Sequence, residues 1–188
     1  AALGRRLRAL EGEAAAREEF GRCALCRAKL RRRSKLEFVH DKVARGEETN
    51  RLVREFFADE AAATSLARPA FHRINSCVSF RKELSESMAL ISQLKRLRTV
   101  RNSGVCQEVN IAKGEASGQG AVSWNNWHIV DLCCGNSLTA ALALHLLPGV
   151  HVTAVDMAAP NNQPHFEAAG FTRPRFAYLQ ADITQTAE

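Results

Sequence analysis

The stretch HIVDLCCGNSLTAALAL, residues 128–144, changes its pattern around a single glycine. Its first five residues form a short apolar run that is typical of a buried strand, and the run from Leu138 to Leu147 is rich in good helix formers. Between them stands Gly135, followed by the small polar residues Asn136 and Ser137, which suit a tight turn and the capping of a helix. The stretch therefore predicts a strand that turns sharply into a helix, as α/β folds require.

The same alternation continues along the rest of the sequence. Pro148 and Gly149 end the predicted helix, and they are followed by a strand at Val150–Met157, a helix at 161–169 and a strand at 175–179. Strands that are joined through helices pair in parallel by right-handed crossovers. We therefore predict an α/β fold with a doubly wound parallel sheet that is incomplete and holds its first three strands.

The charge is distributed unevenly between the two parts of the chain. Residues 1–104 hold 23 Lys and Arg against 13 Asp and Glu, whereas residues 105–188 hold 3 against 7. A basic front half favours a polyanion partner, and RNA is our leading hypothesis. The alternative is that the arginines simply keep solvated helices soluble, because glutamates are interspersed among them.

Helical patterns fill the front half: one over residues 1 to about 33, and a second from about Lys35 to Ala67 with a break near Arg45 and Gly46. A third begins after Asn75 or Ser76, and it is the most regular, with apolar residues every three or four positions from Cys77 to Leu97. Residues 102–123 contain four glycines among scattered Ser and Asn, which is typical of a loop. We predict an all-helical N-terminal region over residues 1–101, a linker over 102–123 and a partial α/β domain over 124–188.

An acidic residue stands at the end of each of the three predicted strands: Asp131, Asp156 and Asp182. In a parallel sheet these ends lie at one edge, where ligands bind and where the first amides of the next helix point outward. Asp156 follows Gly135 by 21 residues, a spacing at which an acid accepts hydrogen bonds from the ribose hydroxyls of a nucleoside cofactor. The three acids together indicate a ligand site better than any one of them alone.

The segments VDLCCGNSLTAALAL, VTAVDM and LQADIT resemble the cofactor-binding half of the class I S-adenosylmethionine-dependent methyltransferases, which have a Rossmann-like fold. The resemblance covers about residues 127–184 and implies S-adenosylmethionine as the cofactor. It implies that Asp131 and Gly135 lie near the methionine moiety, Asp156 at the ribose, Met157 against the adenine and Asp182 near the adenine amino group.

The turn departs from the family pattern at two positions. The family usually has three glycines here, whereas Cys133 and Ser137 flank the single Gly135. With Asn136 they complete the predicted cofactor-binding set: Asp131, Cys133, Gly135, Asn136, Ser137, Asp156, Met157 and Asp182. The family's fourth strand, which commonly carries catalytic residues, would lie beyond Glu188, so we name no catalytic residue and expect the chain to be a fragment.

Three functions follow as hypotheses. The first is an S-adenosylmethionine-dependent methyltransferase, with RNA as the substrate class that the basic front half suggests. The second is a methyltransferase-like binding or scaffold protein without turnover. The third is an NAD(P)-dependent oxidoreductase, although its turn should read Gly-x-Gly-x-x-Gly and residues 133–138 contain only Gly135.

A metal site and a base-stacking site each have a simpler alternative. Cys23 and Cys26 have the spacing of half a zinc knuckle, with His40, His72 and Cys77 as conceivable further ligands. The pair lies in a helical pattern, where cysteine packs as a small apolar residue, so we expect no metal. Similarly, Trp124 and Trp127 could stack on a base, but a tryptophan that enters a sheet is more often a core anchor.

The sequence also limits where the protein resides. No apolar run approaches the ~20 residues of a membrane span, and no signal peptide pattern opens the chain. Six cysteines spread over 188 residues fit reduced thiols better than a disulfide framework. We therefore expect no membrane partner and an intracellular location, first of all the cytoplasm, with the nucleus and organelles left open.

Overall fold

A computed structural model describes Cys23 and residues 34–104, 124–158 and 163–184. The helical pattern predicted for residues 1–33 and most of the predicted linker therefore lie outside the described residues. The front helices are α1 (Lys35–Ala44), α2 (Arg51–Ala58), α3 (Glu60–Leu66), a 3-10 turn (Pro69–Phe71), α4 (His72–Asn75) and α5 (Phe80–Gly104). They are followed by β1 (His128–Leu132), α6 (Leu138–Leu146), β2 (His151–Asp156), α7 (Gln163–Ala168) and β3 (Phe176–Gln180).

The three strands form one parallel sheet in the order β1-β2-β3. Ile129 pairs with Val152 and Val152 with Phe176, and near the strand ends Leu132 pairs with Val155 and Val155 with Leu179. Each strand is joined to the next through a helix, as parallel pairing requires. The prediction of an α/β fold with a three-stranded parallel sheet is confirmed.

Side-chain caps divide the predicted helical segment 35–67 into three helices. The hydroxyl of Ser34 accepts a hydrogen bond from the Glu37 amide at the start of α1, and the Asn50 side chain accepts from the amides at the start of α2. Asp59 caps α3 by accepting from the Ala62 amide. The predicted break near Arg45 is observed, and Asp59 adds a second break that the apolar pattern does not reveal, because a cap acts locally.

Helix α5 begins later than the sequence suggested. Asn75 and Ser76 are natural caps, but Asn75 ends α4 and its side-chain amide donates to the Leu66 carbonyl, so the long helix starts at Phe80. It then runs to Gly104, through the first three residues of the predicted linker. The apolar stripe on α5 is buried from Phe80 to Ile91, whereas Leu97 is 60% exposed.

One ion pair fixes α5 to the front helices. The guanidinium of Arg81 donates two hydrogen bonds, of 2.6 and 2.7 Å, to the buried carboxylate of Glu48. These bonds lower the pKa of Glu48 to about 2, against the opposing effect of burial. The Arg81 side chain is half exposed, so solvent screens the ion pair, and its main effect is to give α5 a defined position.

A single cluster of buried side chains extends from Leu36 in α1 to Phe176 in β3. Phe71 contacts Phe166 edge to face, and Phe166 stacks on Phe176 with ring centroids 4.1 Å apart. Trp124 is only 4% exposed, and the Arg98 guanidinium lies 4.5 Å from its ring. Trp124 is therefore a core anchor, the simpler of its two predicted roles.

The two faces of the sheet differ in their cover. Residues on one face, including Val152, Ala154 and Phe176, are buried. On the other face Val130, Leu132 and Leu179 are each more than half exposed, so none of the described elements covers it there. No helix among the described residues is long and apolar enough to cross a membrane.

Candidate functional site

A cleft of about 390 Å³ lies between α5 and the turn that joins β1 to α6. Its volume falls in the range of small-molecule sites. Five of the eleven described lining residues come from the end of β1 and the turn, and six come from α5 and the first turn of α6: Asp131, Cys133, Cys134, Gly135 and Asn136, with Glu83, Glu86, Ser87, Leu90, Leu138 and Thr139.

The turn repeats a left-handed backbone conformation at alternate residues. Cys133, Gly135 and Ser137 have φ angles of 55°, 51° and 58°. At these three positions the family that the sequence resembles usually has glycine. For a residue with a Cβ atom this conformation costs roughly 1 kcal/mol. The turn thus keeps the shape that a glycine-rich sequence would adopt, with strain at Cys133 and Ser137.

The space above the turn is open at Gly135. A Cβ atom built on Gly135 would meet no heavy atom within 4 Å. The exposed Cys133 and the partly exposed Asn136 border that space on either side of the glycine. A ligand can therefore approach the backbone of the turn closely.

Ser137 does not cap α6 with its side chain, so this part of the prediction is wrong. It occupies the N-cap position but is fully buried, and its hydroxyl donates to the Cys134 sulfur at 3.3 Å. Its backbone is left-handed, and its side chain makes no capping hydrogen bond to the helix. Ser137 supports the turn from behind and does not line the cleft.

Asp131 lines the cleft, and one of its two carboxylate oxygens is unsatisfied. The residue is half-buried, and its Oδ2 atom is buried without a hydrogen-bond partner among the described residues. Burial raises the pKa of this carboxyl group, and the nearby backbone N–H of Ala140 opposes part of that shift. A buried acceptor without a donor costs free energy, so Asp131 is suited to a ligand that brings a donor or a positive charge.

The rest of the cleft adds negative charge. Glu83 and Glu86 on α5 line the cleft together with Asp131, and the described lining residues include no Lys, Arg or His. Ser87 and Thr139 join the two helical walls through hydroxyl groups 2.8 Å apart. The cleft is therefore acidic and suits a cationic or neutral ligand better than an anionic one.

Asp156 lies at the end of β2 and supports the same turn. Its Oδ2 accepts a hydrogen bond from the Gly135 amide, and its Oδ1 accepts one from the Ala158 amide, both at 2.9 Å. These backbone bonds lower the pKa of the carboxyl group, and the bond from Ala158 has a larger effect than the bond from Gly135. Because a carboxylate accepts up to four hydrogen bonds, Asp156 retains acceptor capacity for a hydroxyl group.

Two predicted residues lie at the same sheet edge but outside the cleft. Met157 is 65% exposed just after β2. Asp182, just after β3, accepts hydrogen bonds from the amide and the hydroxyl of Thr184. Near them the Tyr178 hydroxyl donates to the Ala158 carbonyl at 3.1 Å.

The structure thus brings four of the eight predicted residues into one cleft, namely Asp131, Cys133, Gly135 and Asn136. Asp156 reaches the turn through Gly135, and Ser137 lies behind it. Sequence reasoning missed the wall formed by α5. The spacing of Glu83, Glu86, Ser87 and Leu90 places them on one side of a helix and could have indicated a common face, but not what it opposes.

Comparison with protein-family models, with curated proteins and with solved structures finds no match for this chain.

Proposed function

We propose that this chain binds S-adenosylmethionine at the β1–α6 turn and belongs to a methyltransferase with a Rossmann-like fold. The observation that carries the proposal is Asp131, which lines an acidic cleft beside the open backbone of Gly135 and whose buried Oδ2 has no hydrogen-bond partner among the described residues. When bound, S-adenosylmethionine supplies a methyl group activated by a positively charged sulfonium. It also carries an α-ammonium group, which is the kind of donor that Asp131 lacks.

The charge of the cleft favours this cofactor over a nicotinamide dinucleotide. Asp131, Glu83 and Glu86 would attract a ligand with two positive groups and repel the pyrophosphate of NAD(P). The turn would offer its backbone at Gly135 to either ligand. The oxidoreductase hypothesis therefore has the weaker support.

In this proposal the remaining predicted residues bind the nucleoside half of the cofactor. Asp156 would accept from the ribose hydroxyls with the acceptor capacity that its two backbone bonds leave. Met157 offers an exposed apolar surface to the adenine, and Asp182 an acid at the next strand end. The chain's own task is positioning, because methyl transfer requires the acceptor atom to be held in line with the methyl group at short range.

A binding protein without turnover is the second candidate, and the position and backbone conformation of Cys133 favour it. Its side chain borders the cleft where the family has glycine, and the backbone there is strained. Incubation with cofactor labelled on the methyl group, in the presence of candidate RNA, separates the two. Label in the RNA supports the enzyme, and cofactor binding without transfer to any acceptor supports the binding protein.

RNA as the acceptor rests on the charge of the front half. If lysines and arginines there contact phosphates, RNA binding will weaken steeply as salt rises, with a log–log slope that counts the contacts. Filter binding of a single-stranded RNA across a salt series measures that slope. A slope near zero would remove RNA from the proposal and leave small molecules or proteins as acceptors.

The central experiment is calorimetric titration of S-adenosylmethionine into the full chain and into Asp131→Asn. Replacing the carboxylate removes the charge that the cofactor's ammonium group would meet, and we expect a loss of about 2 kcal/mol, or roughly 30-fold in affinity. Asp59→Asn is the matched control, because it makes the same chemical change at a helix cap where Asn serves equally well. Equal affinity for all three proteins, or tighter binding of NAD than of S-adenosylmethionine, would contradict the proposal.

A further inference from the structure

A cysteine and two histidines from separate parts of the chain meet at a point outside the cleft. One ligand atom each from Cys23, His72 and His165 lie within 4.8 Å of one another. His72 opens α4 and His165 lies in α7, whereas Cys23 precedes all the described helices. The sequence pattern had grouped Cys23 with His72 but gave no reason to include His165.

The His165 ring lacks any hydrogen bond that would explain its burial. Its side chain is 2% exposed, and both ring nitrogens are buried without a hydrogen-bond partner among the described residues. A neutral imidazole carries one donor and one acceptor, so leaving both unsatisfied in the interior is costly. A metal ion bound to one nitrogen would account for part of that cost, and unexplained buried polar atoms often mark an ion.

The two histidine rings also contact each other. Their centroids lie 5.0 Å apart, with the ring planes inclined by 68°. Helices α4 and α7 therefore bring two imidazoles, which are common protein ligands of transition metals, to one place beside Cys23.

The donor set selects the metal. One sulfur and two imidazole nitrogens suit Zn²⁺, whereas Mg²⁺ and Ca²⁺ require oxygen ligands. Zinc bonds of about 2.3 Å to sulfur and 2.0–2.1 Å to nitrogen place tetrahedral ligand atoms roughly 3.3–3.8 Å apart. The present separations, none above 4.8 Å, therefore exceed those that a bound ion would impose by at most about 1.5 Å.

We propose that Cys23, His72 and His165 bind a Zn²⁺ ion that crosslinks the start of the chain to α4 and α7. The three ligands leave a fourth position for water. Binding releases the proton of the Cys23 thiol, because the thiolate is the ligand. Cys26 lies outside the described residues, and the site is proposed without it.

Cobalt provides a test that needs no variant. The full chain is freed of metal by dialysis against a chelator and titrated with Co²⁺ while its absorption spectrum is recorded. We expect one cobalt per chain, a thiolate-to-cobalt charge-transfer band in the near ultraviolet, intense visible bands of a tetrahedral site, and loss of all of them when Zn²⁺ is added. A chain that shows no thiolate band at stoichiometric cobalt would overturn the proposal.

Variants then assign the ligands. Cys23→Ser should lose the charge-transfer band, and His165→Gln should weaken zinc binding by at least about tenfold and lose the rise in Tm that zinc gives the unaltered chain. The controls are Cys77→Ser, a half-buried cysteine outside the cluster, and His128→Gln, an exposed histidine on the sheet. A charge-transfer band that survives in Cys23→Ser but disappears in Cys77→Ser would place the metal elsewhere and reject this site.

Discussion

Asp131 and Asp156 end neighbouring strands of one sheet and differ in nearly every physical respect. The Asp131 carboxyl is half-buried, has one oxygen without a hydrogen-bond partner among the described residues and has its pKa raised by burial. The Asp156 carboxylate accepts two backbone hydrogen bonds, and these lower its pKa. The first acid is destabilised in the chain alone, whereas the second stabilises the turn above which a ligand would lie.

This difference indicates a division of work at the strand ends. Asp156, which already accepts a hydrogen bond from the Gly135 amide, preorganises the turn before any ligand arrives. This lowers the entropic cost of ordering the turn when a ligand binds. An acid with an unsatisfied buried oxygen gains most when a donor arrives, so it contributes selectivity. Strained and unsatisfied groups of this kind concentrate at functional sites.

Asp156→Ala should produce the largest change in stability. It removes two charge-assisted hydrogen bonds and releases the amides of Gly135 and Ala158, so we expect Tm to fall by several degrees. Differential scanning calorimetry of the full chain measures the shift. S-adenosylmethionine should also bind more weakly, since the turn is no longer held.

Asp131→Asn should change stability in the opposite direction, and the same calorimetric measurement tests it. It replaces a buried carboxylate by a neutral amide of the same shape, and we expect the free energy of unfolding to rise by about 1 kcal/mol while cofactor affinity falls. If both substitutions lowered Tm by the same amount, the two acids would have the same structural role, and the division proposed here would be wrong.

Cys133→Gly should have a smaller, stabilising effect. Glycine adopts the left-handed conformation at this position without strain, so we expect a gain of roughly 1 kcal/mol, less the greater chain entropy of glycine when unfolded. It also removes a side chain from the cleft. Chemical denaturation measures the gain in the free energy of unfolding. Gly135→Ala is a matched control, because it adds strain at the left-handed position two residues later and should lower the stability.

The double variant Cys133→Gly with Asp156→Ala connects this effect to the comparison of the acids. If Asp156 stabilises a turn that is strained at Cys133, then relieving that strain with Cys133→Gly should reduce the stability lost in Asp156→Ala. Additive effects of the two substitutions would show that the hydrogen bond to Gly135 and the strain at Cys133 are independent.

The strands and the helix after the turn could be predicted from the sequence because local periodicity decides them. β1 has the predicted bounds, His128–Leu132, and α6 ends one residue short of its prediction. The left-handed conformations at Cys133 and Ser137 could not be read from residue types, since neither residue favours them. They follow from the tertiary requirement that the chain turn sharply between strand and helix.

Contacts between distant segments account for the rest that was missed. The wall formed by Glu83 and Glu86 depends on how α5 packs against α6, which spacing along one helix does not determine. The same holds for His165, whose approach to Cys23 and His72 joins three segments. Asp156 was correctly predicted to lie at the end of the second strand. Its hydrogen bond to the Gly135 amide, however, depends on atomic positions that a spacing of 21 residues cannot specify.

The smallest expected effect is on the pH dependence of stability, and its sign separates the two acids. For Asp156 the folded pKa is below the ordinary value of 3.8, so its contribution to stability is present above that value and is lost as the pH falls through the folded pKa. For Asp131 the folded pKa is above 3.8, so the native state takes up a proton first and the penalty of its buried charge fades as the pH falls through that raised pKa. Urea denaturation from neutral pH to about pH 3 should therefore show the advantage of Asp131→Asn over the unaltered chain shrinking at a higher pH than the disadvantage of Asp156→Ala. Differences that shrink together would mean that the two carboxyl groups titrate alike, which their distinct surroundings do not allow.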